Sequence, residues 1–282
     1  MATTSAQAAT PSRRLSDRLR SSFVPFAFMT PAAILVILFF FLPVLIILGI
    51  SLTNMSTATG FQNWRWIGWQ NFQKIIAHPD TRIVLWATIQ YVALTLAFFN
   101  IGMALVIALL STHVPRRAGF FFRALWLLPR ITPSVVYVMM WRYIAAAGPY
   151  GILNQHILGP LGLPNQNLVP TYPWLFVILV NGFIGASFGM IIFSSAIESI
   201  PKDYMMAALV DGCTIWQRIR YVILPMLRWP LMFVTAYQTL SLLTSFEQIL
   251  LLTDGSFGTE VWALWSYHRA LSNYWGNFQW GF

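Results

Sequence analysis

Hydrophobic residues form long continuous runs along this chain, without the alternation that marks a half-buried strand. Charged residues are absent from 21–64, 83–115 and 143–197. The apolar part of each run exceeds the about 20 residues that a helix needs to cross the hydrocarbon of a bilayer. Because continuous runs of this length favour helices over strands, the pattern predicts an all-α integral membrane protein.

Proline, glycine and charged residues divide these runs into predicted spans. The five spans cover about 26–50, 83–111, 124–146, 174–197 and 229–252. A tail, 1–25, precedes the membrane domain, 26–282, and a more polar loop, 198–228, separates the fourth span from the fifth. The function of that loop depends on which side of the membrane it faces.

The distribution of Lys and Arg predicts the orientation. With the N-terminus inside, eleven of these residues fall in cytoplasmic segments and four in outer segments, in agreement with the positive-inside rule. The tail and the loop 198–228 are therefore expected to be cytoplasmic. The basic residues behind the net charge of +9 do not form the patch on a soluble surface that would indicate nucleic acid, so membrane lipid is the expected surrounding and no nucleic-acid partner is predicted.

Composition argues against a soluble domain, an internal disulfide and a metal site. Only 9% of the residues are charged and 57% are hydrophobic, whereas a soluble domain has about 25% charged residues. The one cysteine, Cys213, excludes an internal disulfide. The four histidines have no metal-ligand spacing, so no metal site is expected.

The loop 198–228 has the pattern of two short helices. Met206 and Val210 are among apolar residues at helical spacing, and Gly212 can adopt the left-handed conformation that ends a helix. A second helix fits 214–224 and is expected to end at Pro225. Small residues between the large ones would allow a partner to approach closely.

The residues of this loop resemble a known signature. The sequence "AALVDG" at 207–212, followed by nine residues and "VILP" at 222–225, is similar to the conserved loop of binding-protein-dependent ABC importer permeases. Met206 stands where that signature has Glu, and Val222 where it has Ile. The first departure removes the polar contact that the Glu would make.

Further stretches extend the resemblance over most of the chain. The sequences "WIGWQNFQKI" (66–75), "FFFRALWLLPRITPSVVYVMMWRYI" (120–144) and "LLLTDGSFGTEVWALWSYHRAL" (250–271) look like parts of sugar-importing type I permeases. This family resemblance implies one half of a heterodimeric channel, usually with six core helices. Since 253–282 holds no further uncharged run of span length, a sixth helix is expected beyond the chain end.

The resemblance also implies partners. They are a second homologous permease subunit, two ATPase subunits at the cytoplasmic face and an extracytoplasmic solute-binding protein. The loop would act as a coupling helix seated in an ATPase. The residues expected to contact it are Asp203, Met206, Ala207, Ala208, Asp211, Gly212, Trp216, Leu224 and Pro225.

The chain is expected to bind no cofactor and to catalyse no reaction itself. Its only lysines, Lys74 and Lys202, do not lie in the glycine-rich Gly-Lys-Ser or Gly-Lys-Thr turn that binds nucleotide phosphates. ATP and magnesium are therefore assigned to the partner ATPase, and this chain to transport.

Polar residues inside the spans are candidates for the solute path. Arg130 lies between Pro129 and Pro133, which should kink the third span, while Arg123 and Arg142 should lie about 28 Å apart if that span is one helix. Gln90 and Asn100 in the second span are further possibilities. The principal candidates are Arg130, Asn181, Ser187, Thr244, Ser245, Glu247 and Gln248.

Two other functions remain open on the residues alone. A membrane glycosyl or acyl transferase would need acid–base groups gathered at one interface, whereas the eight carboxylates are scattered. A stand-alone ion-coupled carrier would need ionisable residues near the bilayer centre, for which Arg130 and Glu247 offer the only support.

Overall fold

The computed structural model describes residues 26, 28–272, 276 and 278–281. Helices dominate, and no strand occurs within these ranges, which confirms the predicted all-α class. The described residues up to 75, together with those from 276 onward, form one compact unit, and the segment that starts at Ile76 forms a second.

The first unit contains a helix with lipid-facing character. Helix α1, Phe28–Ser51, has 24 residues, and its apolar stretch is not buried inside the protein. Helix α2, Gln70–Ala77, follows, and its last two residues belong to the second unit. Near its start the buried Asn71 donates through Nδ2 to three backbone carbonyls, those of Ser51 (2.9 Å), Thr53 (2.7 Å) and Gly281 (2.5 Å). One side chain on α2 thus contacts both the stretch 51–53 and the backbone at Gly281.

The second unit contains the remaining α-helices, besides a short π-helix at Asn154–Leu158 and a 3₁₀ turn at Ser256–Gly258. In chain order these are α3 (Pro79–His113), α4 (Arg116–Ile131), α5 (Ser134–Ala145), α6 (Leu168–Thr171), α7 (Pro173–Glu198), α8 (Lys202–Val210), α9 (Ile215–Met226), α10 (Arg228–Thr244), α11 (Glu247–Leu252) and α12 (Trp262–Ala270).

Helices α3 and α7 pack against each other over much of their length. Alanines on both helices, Ala104 and Ala186 among them, allow a close approach around the buried side chains of Met190 and Phe193. Within α3, the stretch Thr95–Met103 is a π-helix, a wider turn that is rare and often found at functional sites. The pair forms the scaffold on which the broken helices are placed.

The third predicted span is broken. Helices α4 and α5 meet at an angle of 100°, because Pro133 lacks an N–H and excludes the helical conformation at the preceding residue. Thr132 is accordingly extended, with φ −77° and ψ 135°. The sequence predicts a kink here, but the Arg123–Arg142 separation of about 28 Å assumed a straight helix. That estimate is wrong, since the chain turns sharply between the two arginines.

The fifth predicted span, 229–252, is also not one helix. Helix α10 ends where Ser245 becomes extended, with φ −79° and ψ 122°, and α11 begins two residues later at Glu247. At its other end α10 bends by 67° from α9. Helix α9 also runs past Pro225 to Met226, so the predicted end of this helix at Pro225 is one residue short.

The described helices provide up to five candidate membrane crossings. Helices α1, α3 and α7 are each long and apolar enough by themselves, and the bent pairs α4–α5 and α9–α10 each qualify if the pair is taken as one span. Broken helices within a bilayer need protein or water beside them to satisfy the freed backbone groups.

The packing of α7 on α3 can be tested at Gly189. A Cβ atom there would lie 2.5 Å from the carbonyl oxygen of Asn100 and 2.8 Å from Cβ of Ala104. Because overpacking destabilises by about 1–3 kcal/mol, Gly189→Leu should lower the thermal unfolding midpoint of the detergent-solubilised protein. Gly49→Leu is the control, since a Cβ at Gly49 meets no atom within 4 Å. Equal midpoints for the two variants would contradict this packing.

Candidate functional site

A polar cavity of about 400 Å³ lies in the second unit, where the α4–α5 break and the α10–α11 break meet. Helices α3 and α7 complete its wall. The lining residues are Asn100, Arg130, Thr132, Ser134, Tyr137, Asn181, Ile184, Gly185, Gln238, Ser241, Leu242, Ser245, Glu247 and Gln248.

The two breaks are joined directly by a hydrogen bond. Ser134 Oγ donates to Glu247 Oε1, and these are the first residues of α5 and α11. The carboxylate of Glu247 lies in the first turn of α11, where the positive end of the helix dipole stabilises an anion. The link holds two chain interruptions beside each other at the cavity wall.

Asn181 on α7 is the centre of a second polar network. Its Nδ2 donates to the hydroxyl of Tyr91, to Ser245 Oγ (3.2 Å) and, weakly, to Gln248 Oε1 (3.5 Å). The Ser245 hydroxyl in turn donates to Gln248 Oε1 at 2.7 Å. The network connects α7 to the α10–α11 break and, through the fully buried Tyr91, to α3.

Arg130 supplies the positive charge of the cavity. Its guanidinium lies over the ring of Phe188, 5.4 Å from the centroid, a contact that stabilises a cation without neutralising it. Within the described chain no carboxylate lies within ion-pair distance of this arginine. Arg130 and Glu247 are both exposed at the cavity, so a solute could contact either group.

The structure brings together five of the seven principal solute-path candidates. Arg130, Asn181, Ser245, Glu247 and Gln248 all line the cavity.

The other two lie elsewhere. Ser187 is buried, and its hydroxyl donates to the carbonyl oxygen of Ile184 at 2.6 Å. Thr244 is exposed, and its hydroxyl donates to carbonyls of its own helix, those of Leu240 and Ser241, at 3.1 Å each. Of the further possibilities, Asn100 lines the cavity and Gln90 does not.

Several lining residues are absent from the sequence-based candidates. Gln238 is the clearest case: it is 4% exposed, and its Nε2 donates to the carbonyl oxygen of Gly185 at 2.8 Å. A single Gln in an apolar helix can be recognised in the sequence, but whether its side chain faces the cavity depends on the orientation of α10. Ser134 and Tyr137 lie on the wall because α5 turns away from α4, which hydrophobicity does not reveal.

The loop between α7 and α10 forms two short helices. Helix α8 ends in a double backbone hydrogen bond, from Gly212 N to Leu209 O (3.0 Å) and from Cys213 N to Ala208 O (2.9 Å). This terminator needs a left-handed residue, and Gly212 supplies it with φ +72°. Helix α9 then starts with Thr214 as its cap, which exchanges hydrogen bonds with Gln217.

The surface of this loop is apolar and accessible in the chain by itself. Tyr204, Met206, Val210 and Trp216 are exposed, with Val210 at 86% and Trp216 at 71%. The predicted ATPase-contact residues divide by burial into an exposed set, a half-buried residue and a buried residue. Asp203, Met206, Ala207, Asp211, Gly212, Trp216 and Pro225 are exposed, Leu224 is half-buried and Ala208 is buried.

Comparisons with known proteins place this architecture in a family. Residues 100–270 match the family described as "binding-protein-dependent transport system inner membrane component". The chain is 28% identical over 90% of its length to the probable ABC transporter permease protein YesP of Bacillus subtilis, covering 82% of that protein. It is 26% identical over 82% of its length to the lactose transport system permease protein LacF of Rhizobium radiobacter, covering 76% of that protein.

A solved structure has the same fold. A chain of the bacterial alginate ABC transporter in complex with alginate pentasaccharide-bound periplasmic protein superposes with a TM-score of 0.75, at 21% sequence identity. The match covers 91% of this chain and 86% of that chain. With its helix breaks, its polar cavity and a family match over more than half its length, the chain belongs to the permeases of binding-protein-dependent ABC importers, which are inner membrane components.

Proposed function

We propose that this chain forms half of the translocation path of an ABC importer for a carbohydrate or a related polyhydroxylated solute. The observation that carries the proposal is the polar cavity, where Arg130, Glu247 and a set of amide and hydroxyl groups line about 400 Å³ between two broken helices. Side chains of this kind can exchange hydrogen bonds with solute hydroxyls. The names of LacF and of the alginate transporter support a saccharide.

The other subunits of the importer follow from this assignment. A second, homologous permease would complete the path, and two ATPase subunits would bind ATP and magnesium and drive transport, so this chain needs no cofactor. An extracytoplasmic protein would deliver the solute, as the periplasmic protein bound to the alginate transporter supports. The N-terminus and the loop between α7 and α10 would then face the cytoplasm, as the excess of Lys and Arg there favours.

The loop between α7 and α10 is the proposed contact with the ATPase. Its exposed apolar side chains, Met206, Val210 and Trp216 among them, form a face that fits a groove on a partner, in the manner of a helix docked by its apolar side. Helix α8 follows α7 after three residues, and α9 meets α10 at one residue. Movement of the loop would therefore move both long helices. Met206 in place of the family's Glu makes this contact apolar at that point.

Gly212 provides a test of the coupling role. Its φ of +72° is a conformation that a β-branched residue avoids, and a Cβ there would meet no atom within 4 Å. Gly212→Val should therefore disturb the geometry of the loop alone, abolishing uptake and reducing co-purification of an ATPase subunit while leaving membrane insertion intact.

Gly162→Val is the matched control, because Gly162 has φ +69° and equally open surroundings in a different loop. It should retain the ATPase and uptake. Retention of both by Gly212→Val, or a chain that purifies alone and transports alone, would refute the proposed coupling.

The cavity provides a separate test. Arg130→Gln and Glu247→Leu should each reduce uptake by about tenfold or more, because each removes a charge-assisted hydrogen bond of about 1.5–3 kcal/mol from the path. Thr244→Val is the control, since Thr244 lies three residues from Glu247 and does not line the cavity. Uptake by membranes with matched protein levels measures the effect. Equal uptake by all three variants would exclude the cavity as the path.

A further inference from the structure

Asn100 combines burial with unpaired hydrogen-bonding groups. It lies within the π-helical stretch Thr95–Met103 of α3 and is 1% exposed. Neither Nδ2 nor Oδ1 has a hydrogen-bond partner among the described residues. Because a buried amide without partners destabilises the folded state, such a residue needs a reason beyond packing.

The surrounding protein leaves room for the amide but offers it no bond. The neighbouring residue on α7 is Gly185, and a Cβ atom there would collide with the Asn100 side-chain amide. The carbonyl of Gly185 already accepts the hydrogen bond from Gln238 Nε2, at 2.8 Å. Gly185 therefore provides space for Asn100, but its carbonyl bonds to Gln238 and not to the Asn100 amide.

The position of Asn100 on the wall of the polar cavity indicates what completes its bonding. The cavity is the one that Asn181, Gln238 and Gln248 also line, and it is large enough to hold a solute. A primary amide offers two N–H donors and one carbonyl acceptor. A pair of neighbouring hydroxyls, each of which can donate and accept, matches that set better than a group that only accepts.

We propose that Asn100 is a specificity-determining residue, whose amide binds neighbouring hydroxyls of the transported solute. This inference rests on the proposed function. It adds to the cavity an uncharged contact on α3, besides the charged side chains of Arg130 and Glu247 beside the two helix breaks. It also explains why a buried unpaired amide is retained in an otherwise well-packed helix pair, because the cost to stability is recovered when the solute binds.

The test measures stability and transport in the same variant. The complete transporter carrying Asn100→Leu is compared with the wild type for uptake of radiolabelled lactose and of a radiolabelled alginate trisaccharide. Leucine has nearly the same size and removes the unpaired groups, so the unfolding midpoint should stay equal or rise. The KM for the transported sugar should rise about tenfold or more, which corresponds to about 1.4 kcal/mol of lost binding.

Thr95→Val is the matched control. Thr95 lies in the same π-helical stretch, is fully buried, and its hydroxyl also has no partner among the described residues, but it does not line the cavity. This variant should likewise keep or raise the midpoint, and its KM should not change. A shift of KM in both variants would indicate a general effect on α3 and overturn the proposal.

The remaining outcomes separate this inference from the proposed function. An unchanged KM in Asn100→Leu, with uptake still reduced in Arg130→Gln, overturns the role of Asn100 alone and leaves the proposed path in place. A lowered midpoint in Asn100→Leu also overturns it, because the amide would then stabilise the fold. Absence of uptake of both sugars by the wild type counts against the saccharide assignment and removes the basis of this inference.

Discussion

Inside a bilayer, a helix can break only where protein or water replaces the backbone hydrogen bonds that the break removes. This constraint explains why the α4–α5 and α10–α11 breaks lie together. The hydrogen bond from Ser134 to Glu247 joins them, and the cavity between them supplies polar surroundings for the freed backbone. The polar cavity that a solute could enter is therefore also what allows the two helices to break inside a membrane.

The unbroken helices α3 and α7 support the broken ones. Helices α3 and α7 pack closely through small residues such as Ala104 and Gly189, and so provide a fixed wall against which the broken helices are placed. Asn181 extends from that wall to the α10–α11 break. Helix α7 also leads, after three residues, into α8 of the apolar loop. A force applied at the loop would reach the cavity through α7 and α10.

Much of the fold was accessible from the sequence, because continuous apolar runs specify membrane helices whatever their tertiary contacts. The left-handed turn at Gly212 was also predictable, since a glycine directly after an apolar helical pattern commonly ends a helix. The size of the bend at Pro133 was not, because a proline indicates a kink without fixing its angle. That angle determines that Ser134 and Tyr137 line the cavity. Likewise, nothing in the local sequence marks Ser245 and Phe246 as a break.

The same distinction holds for the side chains of the site: some could be identified from the sequence, and others depend on how the helices pack. Arg130 and Glu247 were identifiable because a charge in a span needs a polar environment. Thr244 and Ser187 show the limit of that approach, since a hydroxyl in a span can be satisfied by a carbonyl of its own helix. Gln238 and the unpaired state of Asn100 depend on how α3, α7 and α10 face one another, which one sequence does not specify.

The most direct test of the central claim is the water accessibility of Ser241, which lines the cavity next to the apolar, exposed Leu240. Since Cys213 is the only cysteine of this chain, Cys213→Ser makes the chain cysteine-free, and the reaction is measured on this chain alone. In membranes containing the complete transporter, Ser241→Cys should react with a charged, membrane-impermeant methanethiosulfonate and react more slowly when the transported sugar is present, whereas Leu240→Cys should not react. If Ser241→Cys is as unreactive as Leu240→Cys, the cavity is closed to water and the account of a solute path between the broken helices is contradicted.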